Sequence, residues 1–255
     1  MNTFLIFAFL FFAGCIVGWF LELLFRRFNP SNKSKKWINP GFLQGPYLPI
    51  HGLGICVLYF LTRLEDFIHI DNTALRRIIL FIIMTAAMTL IEYIAGMVFI
   101  VRTKVKLWDY SGQRGNIKGI ICPLFSFFWA VLGAIYYFLI DPYILDTLRW
   151  LSNNLAFSFV IGFFYGIFCI DVWHSFRLAG KIKSFAEEHN IIVRYEELKS
   201  VIRQTAEERR EKYFFLLPLR DEGGISERLK EYLNKQRESE KLQNLESFIS
   251  SKIKR

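Results

Sequence analysis

The chain has 255 residues, of which 53% are hydrophobic and 17% aromatic, and it carries a formal net charge of +9. The apolar residues form long blocks as far as about position 176, whereas the sequence from Arg177 onward is rich in Lys, Arg and Glu. In a soluble protein this charge would suggest a nucleic-acid partner, but beside long apolar blocks it is typical of loops held near anionic lipid, so no nucleic-acid partner is predicted.

Apolar stretches of about twenty residues, the length that crosses a bilayer as a helix, predict an all-α fold built as a bundle of about five transmembrane spans. The second span is the weakest, because it opens with Gly45 and Pro46, and we expect its first turns to be irregular. The transmembrane domain is predicted over 1–176 and a helical cytoplasmic tail over 177–255. The five spans lie near residues 3–25, 45–62, 78–101, 119–140 and 155–176.

The distribution of Lys and Arg predicts the orientation, since basic loops are retained on the cytoplasmic side. The loops after spans one and three each carry five such residues: Arg26, Arg27, Lys33, Lys35 and Lys36 in the first, and Arg102, Lys104, Lys106, Arg114 and Lys118 in the third. The second loop has Arg63, Arg76 and Arg77, and the fourth has Arg149. With five spans, the N-terminus lies outside and the C-terminus is cytoplasmic, on the side of the basic tail.

Three carboxylates fall inside predicted spans, where an ionisable group is costly and indicates either a functional site or a buried structural pair. Glu22, Glu92 and Asp171 are all predicted to lie in the cytoplasmic half of the membrane, where they could face one cavity. Glu22 has Arg26 one helical turn away, so an ion pair is an equal alternative. Asp171 precedes His174 and Arg177 at helical spacing and could anchor the interface. Glu92 has no basic residue within a turn and is the sharpest candidate.

The loops on the same side carry more polar and turn-forming residues than a short tether needs. The third loop offers Asp109, Tyr110, Ser111 and Asn116, and the segment that opens span two offers Gly45, Pro46 and His51. Both loops could fold back into the bundle. The four cysteines form no C-x-x-C pair and the four histidines have no metal-binding spacing, so no disulfide, metal or cofactor is predicted.

The order and spacing of these motifs resemble one bacterial membrane family. They are Gly18-Trp19-Phe20-Leu21-Glu22, the run from Asn39 to Gly52, Glu92, and Trp108-Asp109-Tyr110-Ser111 with Asn116. Together they resemble the ABC-transporter type IV, or CmpB-like, family over roughly residues 10 to 135. His51, where we expect Tyr in this family, and Gln113-Arg114-Gly115 depart from the pattern. The resemblance implies a multi-pass protein of the bacterial cell membrane with a role in transport; the tail lies outside it.

The tail is predicted to be helical. The last span should continue to about Asn190, with further helices over about 195–213 and 226–253. One face of the final helix is apolar and could pack on the other tail helix, pair in a coiled coil or lie on the membrane; we favour packing or self-association. The residues of that face are Ile225, Leu229, Tyr232, Leu233, Leu242, Leu245, Phe248, Ile249 and Ile253.

Three functions remain open. The first is a permease-like transport component whose carboxylates and loops line a cytoplasmic cavity; the sequence has no G-x-x-x-x-G-K-[ST] motif, so any ATPase would be a separate subunit. The second is a scaffold or regulator that acts through its tail. The third, least favoured, is an intramembrane enzyme with Glu92 or Asp109 as general base and Tyr110, Ser111 or His51 nearby.

Overall fold

The computed structural model describes residues 3–30, 32, 35–154, 156–208 and 224–253, and within these ranges it describes all side chains except those of 66, 152, 206–208, 240 and 242–253. Most of this part of the chain is helical. Its α-helices are α1 (Thr3–Phe28), α2 (Pro49–Arg63), α3 (Thr73–Thr103), α4 (Pro123–Ile135), α5 (Asp141–Asn153), α6 (Ala156–Glu188), α7 (Tyr195–Glu208) and α8 (Ile225–Ile253).

Four helical segments of the described chain are long and apolar enough to cross a membrane: Thr3–Phe28, Thr73–Thr103, Pro123–Leu151 and Ala156–Glu188. Only 22% of the most apolar window of the first two, and 11% of that of the last two, is buried inside the protein. Large apolar side chains cover their outer surfaces, as lipid-facing positions require. The predicted all-α membrane helix bundle is confirmed.

The helix α2 is shorter than these four. Its 15 residues extend about 22 Å at 1.5 Å per residue, less than the roughly 30 Å of a hydrocarbon core. The backbone before it, over 40–48, is irregular, as the Gly45-Pro46 sequence predicted, and Pro49 then occupies the first helical turn. The count of five spans therefore stays a prediction.

Each of the other membrane helices extends beyond its predicted apolar span at one end or at both. The α3 helix begins where Asn72 Oδ1 accepts hydrogen bonds from the backbone N–H groups of Ala74 and Leu75, at 3.0 and 3.2 Å, and it ends where Lys104 adopts a φ of 56°. The segment from Pro123 continues from α4 through a π-helical turn, Tyr136–Ile140, into α5. Hydropathy marks only the apolar middle of each helix, whereas the backbone stays helical into the polar interface.

One end of the bundle carries the tail. The α6 helix runs through the predicted boundary at 176/177 without a break, and its last turns pack with α7 and α8. Two short parallel strands, β1 (Val105–Lys106) and β2 (Val193–Arg194), join the α3–α4 loop to the tail. Strands of two residues leave no periodic pattern, so sequence reasoning missed them. The tail core contains Val105, Ile182, Phe185, Ala186, Val193, Tyr195, Leu198, Ile202, Ile225, Leu229, Tyr232 and Leu233.

The first turns of α8 therefore pack on α7, which is one of the three uses foreseen for its apolar face. The side chains of Leu242, Leu245, Phe248, Ile249 and Ile253, at its far end, lie outside those the structure describes. The preceding helix was predicted to end near 213; it is helical to Glu208, and residues 209–223 are likewise outside the described chain.

The opposite end of the bundle is held by two carboxylates. Asp141 accepts hydrogen bonds from Arg63 at 2.7 Å and from Thr62 at 3.1 Å. Glu65, in a short turn (Glu65–Phe67) after α2, accepts a hydrogen bond from the Tyr137 hydroxyl at 2.8 Å and pairs with Arg76 at 3.4 Å. These contacts tie the α2–α3 connection to the start of α3 and to the α4–α5 junction.

Candidate functional site

The carboxylate of Glu92 is buried in the middle of the bundle, on α3, with 4% of the residue exposed. Its two oxygens accept one hydrogen bond each, at 3.0 Å from the Tyr110 hydroxyl and at 2.9 Å from the indole N–H of Trp129. Tyr110 comes from the α3–α4 loop (104–122, hereafter loop 3), and Trp129 comes from α4. Neither donor is a cation, so a charged Glu92 would keep its full negative charge.

Aromatic rings surround this carboxylate. The ring of Tyr110 stacks on Phe125, with centroids 4.1 Å apart and planes 10° from parallel. The imidazole of His51 lies 5.5 Å from the indole of Trp129, measured between centroids. The ring of Phe125 in turn lies edge-on to that of Phe25 of α1, with centroids 6.4 Å apart. This packing holds both donors of Glu92 in position.

His51 enters the site from the first turn of α2. A Cβ atom at position 18 would lie 2.2 Å from His51 Cβ, so glycine at that position of α1 makes room for the imidazole. Nδ1 of His51 is buried and has no hydrogen-bond partner among the described residues. A buried ring nitrogen without a partner is unusual and marks a position that a proton donor or a ligand could occupy.

Glu22 completes the site from α1. Its carboxylate forms an ion pair with Arg26 at 3.0 Å, and its charge acts on His51, Glu92 and Tyr110. The ion pair foreseen from the four-residue spacing is therefore present, and Glu22 also belongs to the intramembrane group. We call Glu22, His51, Glu92, Tyr110 and Trp129 the Glu92 cluster.

The other predicted residues of loop 3 fold the loop itself. Asp109 accepts hydrogen bonds from Lys106 Nζ at 2.7 Å and from the backbone N–H of Ser111 at 2.9 Å. Burial works to raise the pKa of Asp109, but the hydrogen bonds from Lys106 and Ser111 outweigh it and hold the pKa below the ordinary value. Asn116 donates to the carbonyls of Ser111 and Gln113, at 3.2 and 2.8 Å. These contacts rigidify the loop that presents Tyr110.

Asp171 lies in a different set of contacts, on α6. It accepts hydrogen bonds from the backbone N–H groups of Gln44 and Gly45, at 3.1 and 2.8 Å, from Ser175 Oγ at 3.0 Å and from the Tyr47 hydroxyl. These donors bind the irregular segment that contains Pro46 to α6. His174 and Arg177 are exposed. The structure thus brings Glu22, His51, Glu92 and Tyr110 together, and Asp171, Gly45 and Pro46 form a separate structural contact.

Sequence reasoning missed three residues. Trp129 donates to Glu92, and the tail residues Glu196 and Lys199 contact Arg26 and the backbone of Asn39. Trp129 lies in an aromatic stretch of α4 where nothing distinguishes a ring that meets a carboxylate from one that meets lipid. Glu196 and Lys199 lie in a tail where charged residues are common. Among the described residues, no group of three or more His, Cys, Asp or Glu side chains is placed to hold a metal ion.

Comparison with known proteins supports the resemblance seen in the motifs. A family model described as "Putative ABC-transporter type IV" matches residues 9–176, which include both loops and the whole Glu92 cluster. The comparisons with curated proteins and with solved structures found no match. The match covers well over half of the chain. The four long apolar helices of the structure agree with a membrane protein. The chain therefore belongs to the ABC-transporter type IV family, a family of transport-related membrane proteins.

Proposed function

We propose that this chain is the permease-like subunit of a transporter in the bacterial cell membrane, and that the Glu92 cluster is its substrate or coupling site. The observation that carries the proposal is the buried carboxylate of Glu92, which has two neutral donors and no cationic partner among its hydrogen bonds. Such a group is costly inside a membrane, and where no ion pair offsets the cost, a role in moving a proton or a cation accounts for it.

The proposed topology has five spans with the N-terminus outside and the C-terminus cytoplasmic. Phe42 before α2 and Leu107 after α3 both pack against the tail core, so the two loops share one end of the bundle. Glu65, which follows α2, pairs with Arg76 at the start of α3. The α3 helix is 31 residues long, and loop 3 follows its other end. This path supports a crossing by α2, despite its 15 residues, because the irregular segment before it supplies the missing length.

Energy would come from a separate ATPase subunit. The family description supports a partner of this kind, and the 255 residues contain no P-loop motif that could bind ATP. The end of the bundle that carries the tail and the basic loops is the side on which ATP is available in the proposed orientation. The site would open toward this side.

A scaffold or regulatory role is the second candidate. It is favoured by the tail, whose core is continuous with both loops and which contacts the end of α1 through a partly buried ion pair. In that role Glu92 holds α3, α4 and loop 3 together, and Glu92→Gln is tolerated because an amide oxygen can still accept from Trp129. In a transporter the same variant is inactive, because an amide neither titrates nor attracts a cation.

The test uses the full-length chain purified in mild detergent from its native membrane. We expect a P-loop ATPase to copurify, and ATP hydrolysis by the reconstituted complex to fall at least about tenfold in Glu92→Gln, a loss on the scale of one charge-assisted contact. Glu65→Gln is the matched control, since Glu65 also accepts from a tyrosine hydroxyl, at 2.8 Å, but at the opposite end of the bundle. Absence of any ATPase together with full function of Glu92→Gln would favour the scaffold.

A further inference from the structure

Three residues share one face of α1, and the last of them, Arg26, contacts the tail. Trp19, Glu22 and Arg26 are separated by three and four positions, which places them above one another along the helix. Trp19 contacts the loop between α1 and α2, and Glu22 and Arg26 contact each other. Trp19 donates from its indole N–H to Asn39 Oδ1 at 2.9 Å, and Arg26 pairs with Glu22 at 3.0 Å.

The tail completes these contacts through two residues one turn apart on α7. Glu196 pairs with Arg26 at 2.9 Å and with Lys199 at 2.9 Å. Lys199 Nζ then donates to the backbone carbonyl of Asn39 at 2.9 Å. The contacts therefore form a closed ring from α1 to α7, on to the α1–α2 loop (29–48, hereafter loop 1), and back to α1. We call its six residues the latch: Trp19, Glu22, Arg26, Asn39, Glu196 and Lys199.

The four charges of the latch balance, and the most buried of them depends on the rest. The side chain of Lys199 is 4% exposed and that of Arg26 is 21% exposed. Glu196 lies between these two cations, and Glu22 also pairs with Arg26. Removing the charge of Glu196 would leave Lys199 without its carboxylate partner and one positive charge of the latch uncompensated, which is unfavourable at a buried position.

A second attachment joins the tail to loop 3. The strands β1 and β2 pair in parallel, with Val105 opposite Val193, and Arg194 pairs with Asp109 at 3.4 Å. Asp109 is followed directly by Tyr110, the donor to Glu92, while loop 1 leads into His51. The tail thus holds in place the two loops that close the Glu92 cluster on this side.

We propose that the docked tail is the cytoplasmic gate of the transporter, with Arg26, Glu196 and Lys199 as positioning residues that keep it closed. This inference rests on the proposed function. While the latch is formed, loops 1 and 3 stay fixed and Tyr110 stays on Glu92. When Glu196 leaves Arg26, the tail separates from loop 1, loop 3 loses its support, and the site becomes accessible from the cytoplasm. Glu22 links the two events, because it pairs with Arg26 and acts electrostatically on the Glu92 cluster.

The native Cys122 reports on this opening. It lies where loop 3 enters α4 and is 2% exposed while the tail is docked. Inside-out vesicles that contain the full-length chain are treated with a charged, membrane-impermeant maleimide, and the labelling rate of each cysteine is read by peptide mass spectrometry. In Glu196→Gln we expect the labelling rate of Cys122 to rise at least about tenfold, because the buried Lys199 loses its carboxylate partner and the latch keeps one uncompensated positive charge.

The matched control is Glu187→Gln, the same substitution on the exposed face of the last turns of α6, where Glu187 pairs with Lys183 at 3.8 Å. It should leave the Cys122 rate within about twofold, as exposed ion pairs contribute little. The Cys15 and Cys56 rates serve as internal references and should not change. An unchanged Cys122 rate in Glu196→Gln, or an equal rise at all three cysteines, overturns the gate.

If Glu196→Gln does not fold, Glu196→Asp is measured instead. Its shorter carboxylate keeps the charge but cannot reach both cations, so an intermediate Cys122 rate is expected, and a rate equal to that of the unaltered chain contradicts the latch. The assay needs no transport activity. A rise in the Cys122 rate without a copurifying ATPase would support the opening of the tail and contradict the proposed transport function. An active ATPase complex in which the Cys122 rate does not change would support the transport function and contradict the gate.

Discussion

Glu92 and Asp171 are both carboxylates on long apolar helices, yet their surroundings give them different roles. Asp171 accepts from two backbone N–H groups and two hydroxyls, so nearly all of its acceptor capacity is used. Among the described residues, Glu92 accepts from two side chains, with one hydrogen bond to each oxygen. We infer that Asp171 stabilises the irregular segment before α2 and that Glu92 is the residue available for function.

Replacing Asp171 by Asn tests this difference at the level of stability. An amide cannot accept all four donors, and its NH2 group opposes the N–H of Gln44 or Gly45. We expect the free energy of unfolding in mixed micelles to fall by about 2–3 kcal/mol. Asp146→Asn removes an exposed carboxylate paired with Arg149 at 3.3 Å and should change it by less than about 0.5 kcal/mol. Equal effects of the two variants would contradict the structural role of Asp171.

The buried Lys199 predicts how tail docking depends on pH. Burial lowers the pKa of its ammonium from 10.5 to about 8, Arg26 adds to this lowering, and Glu196 and Glu22 oppose it. An undocked Lys199 regains its ordinary pKa. Between pH 8 and 10.5 the undocked state therefore binds more protons than the docked state, and raising the pH stabilises docking, by at most about 3 kcal/mol.

Hydrogen exchange of the α7 amides measures this effect once the intrinsic pH dependence of exchange has been subtracted. Protection should increase from about pH 7.5 to 9.5 in the unaltered chain. The increase should be absent in Lys199→Met, which has no proton to lose at this position. A decrease in protection of the unaltered chain over the same range would show that the sign is wrong.

At the scale of elements, α1 and α2 approach closely because glycines lie between them. A Cβ at position 18 would fall 2.2 Å from His51 Cβ, an atom fixed to the backbone of α2, so the two helices would have to separate. A Cβ at Gly162 or Gly166 on α6 would meet no atom within 4 Å outside its own stretch of helix. The same substitution thus has opposite expected consequences at the two places.

We expect Gly18→Ala to destabilise the protein by about 1–3 kcal/mol, the usual cost of overpacking, and to impair function by displacing His51. Gly166→Ala should be neutral or should stabilise by up to about 1 kcal/mol, since alanine is the better helix former. Unfolding in mixed micelles provides the comparison. A Gly18→Ala variant as stable as Gly166→Ala would mean that the α1–α2 contact is looser than these distances imply.

The helices and their approximate middles could be predicted from hydropathy, because each apolar run has about the twenty residues that cross a bilayer as a helix. Their ends could not, since caps such as Asn72 and the left-handed Lys104 depend on single residues. The β1–β2 pair was beyond prediction for another reason: its strands lie about ninety residues apart along the chain and meet only because α6 brings the tail back to loop 3.

At the scale of the whole molecule, the proposed five-span topology gives a direct test with impermeant maleimide on intact cells. Asp71→Cys lies in the exposed connection between α2 and α3 and should be labelled from outside. Gly112→Cys, in loop 3, should be labelled only after the cells are permeabilised. Because α3 crosses between these two sites, they lie on opposite sides of the membrane whether or not α2 crosses. The crossing by α2 is tested by Lys35→Cys, at an exposed position of loop 1, which should be labelled only after permeabilisation. If α2 does not cross, Lys35→Cys and Asp71→Cys lie on the same side and are labelled under the same conditions.

The sequence by itself determined that this is a helical membrane protein and which family it belongs to. It also determined that Glu92 is a carboxylate inside an apolar span with no basic residue within one helical turn. These properties follow from composition, motif spacing and the cost of a carboxylate in hydrocarbon, all of which can be judged along the chain without knowing which helices pack together. The tertiary structure alone decided that Glu92 meets Tyr110 and Trp129, and that Asp171 belongs to a separate contact. It also decided that the tail contacts α1 through Glu196 and loop 1 through Lys199. Such pairings join distant parts of the chain, and which side chains meet depends on how whole helices pack.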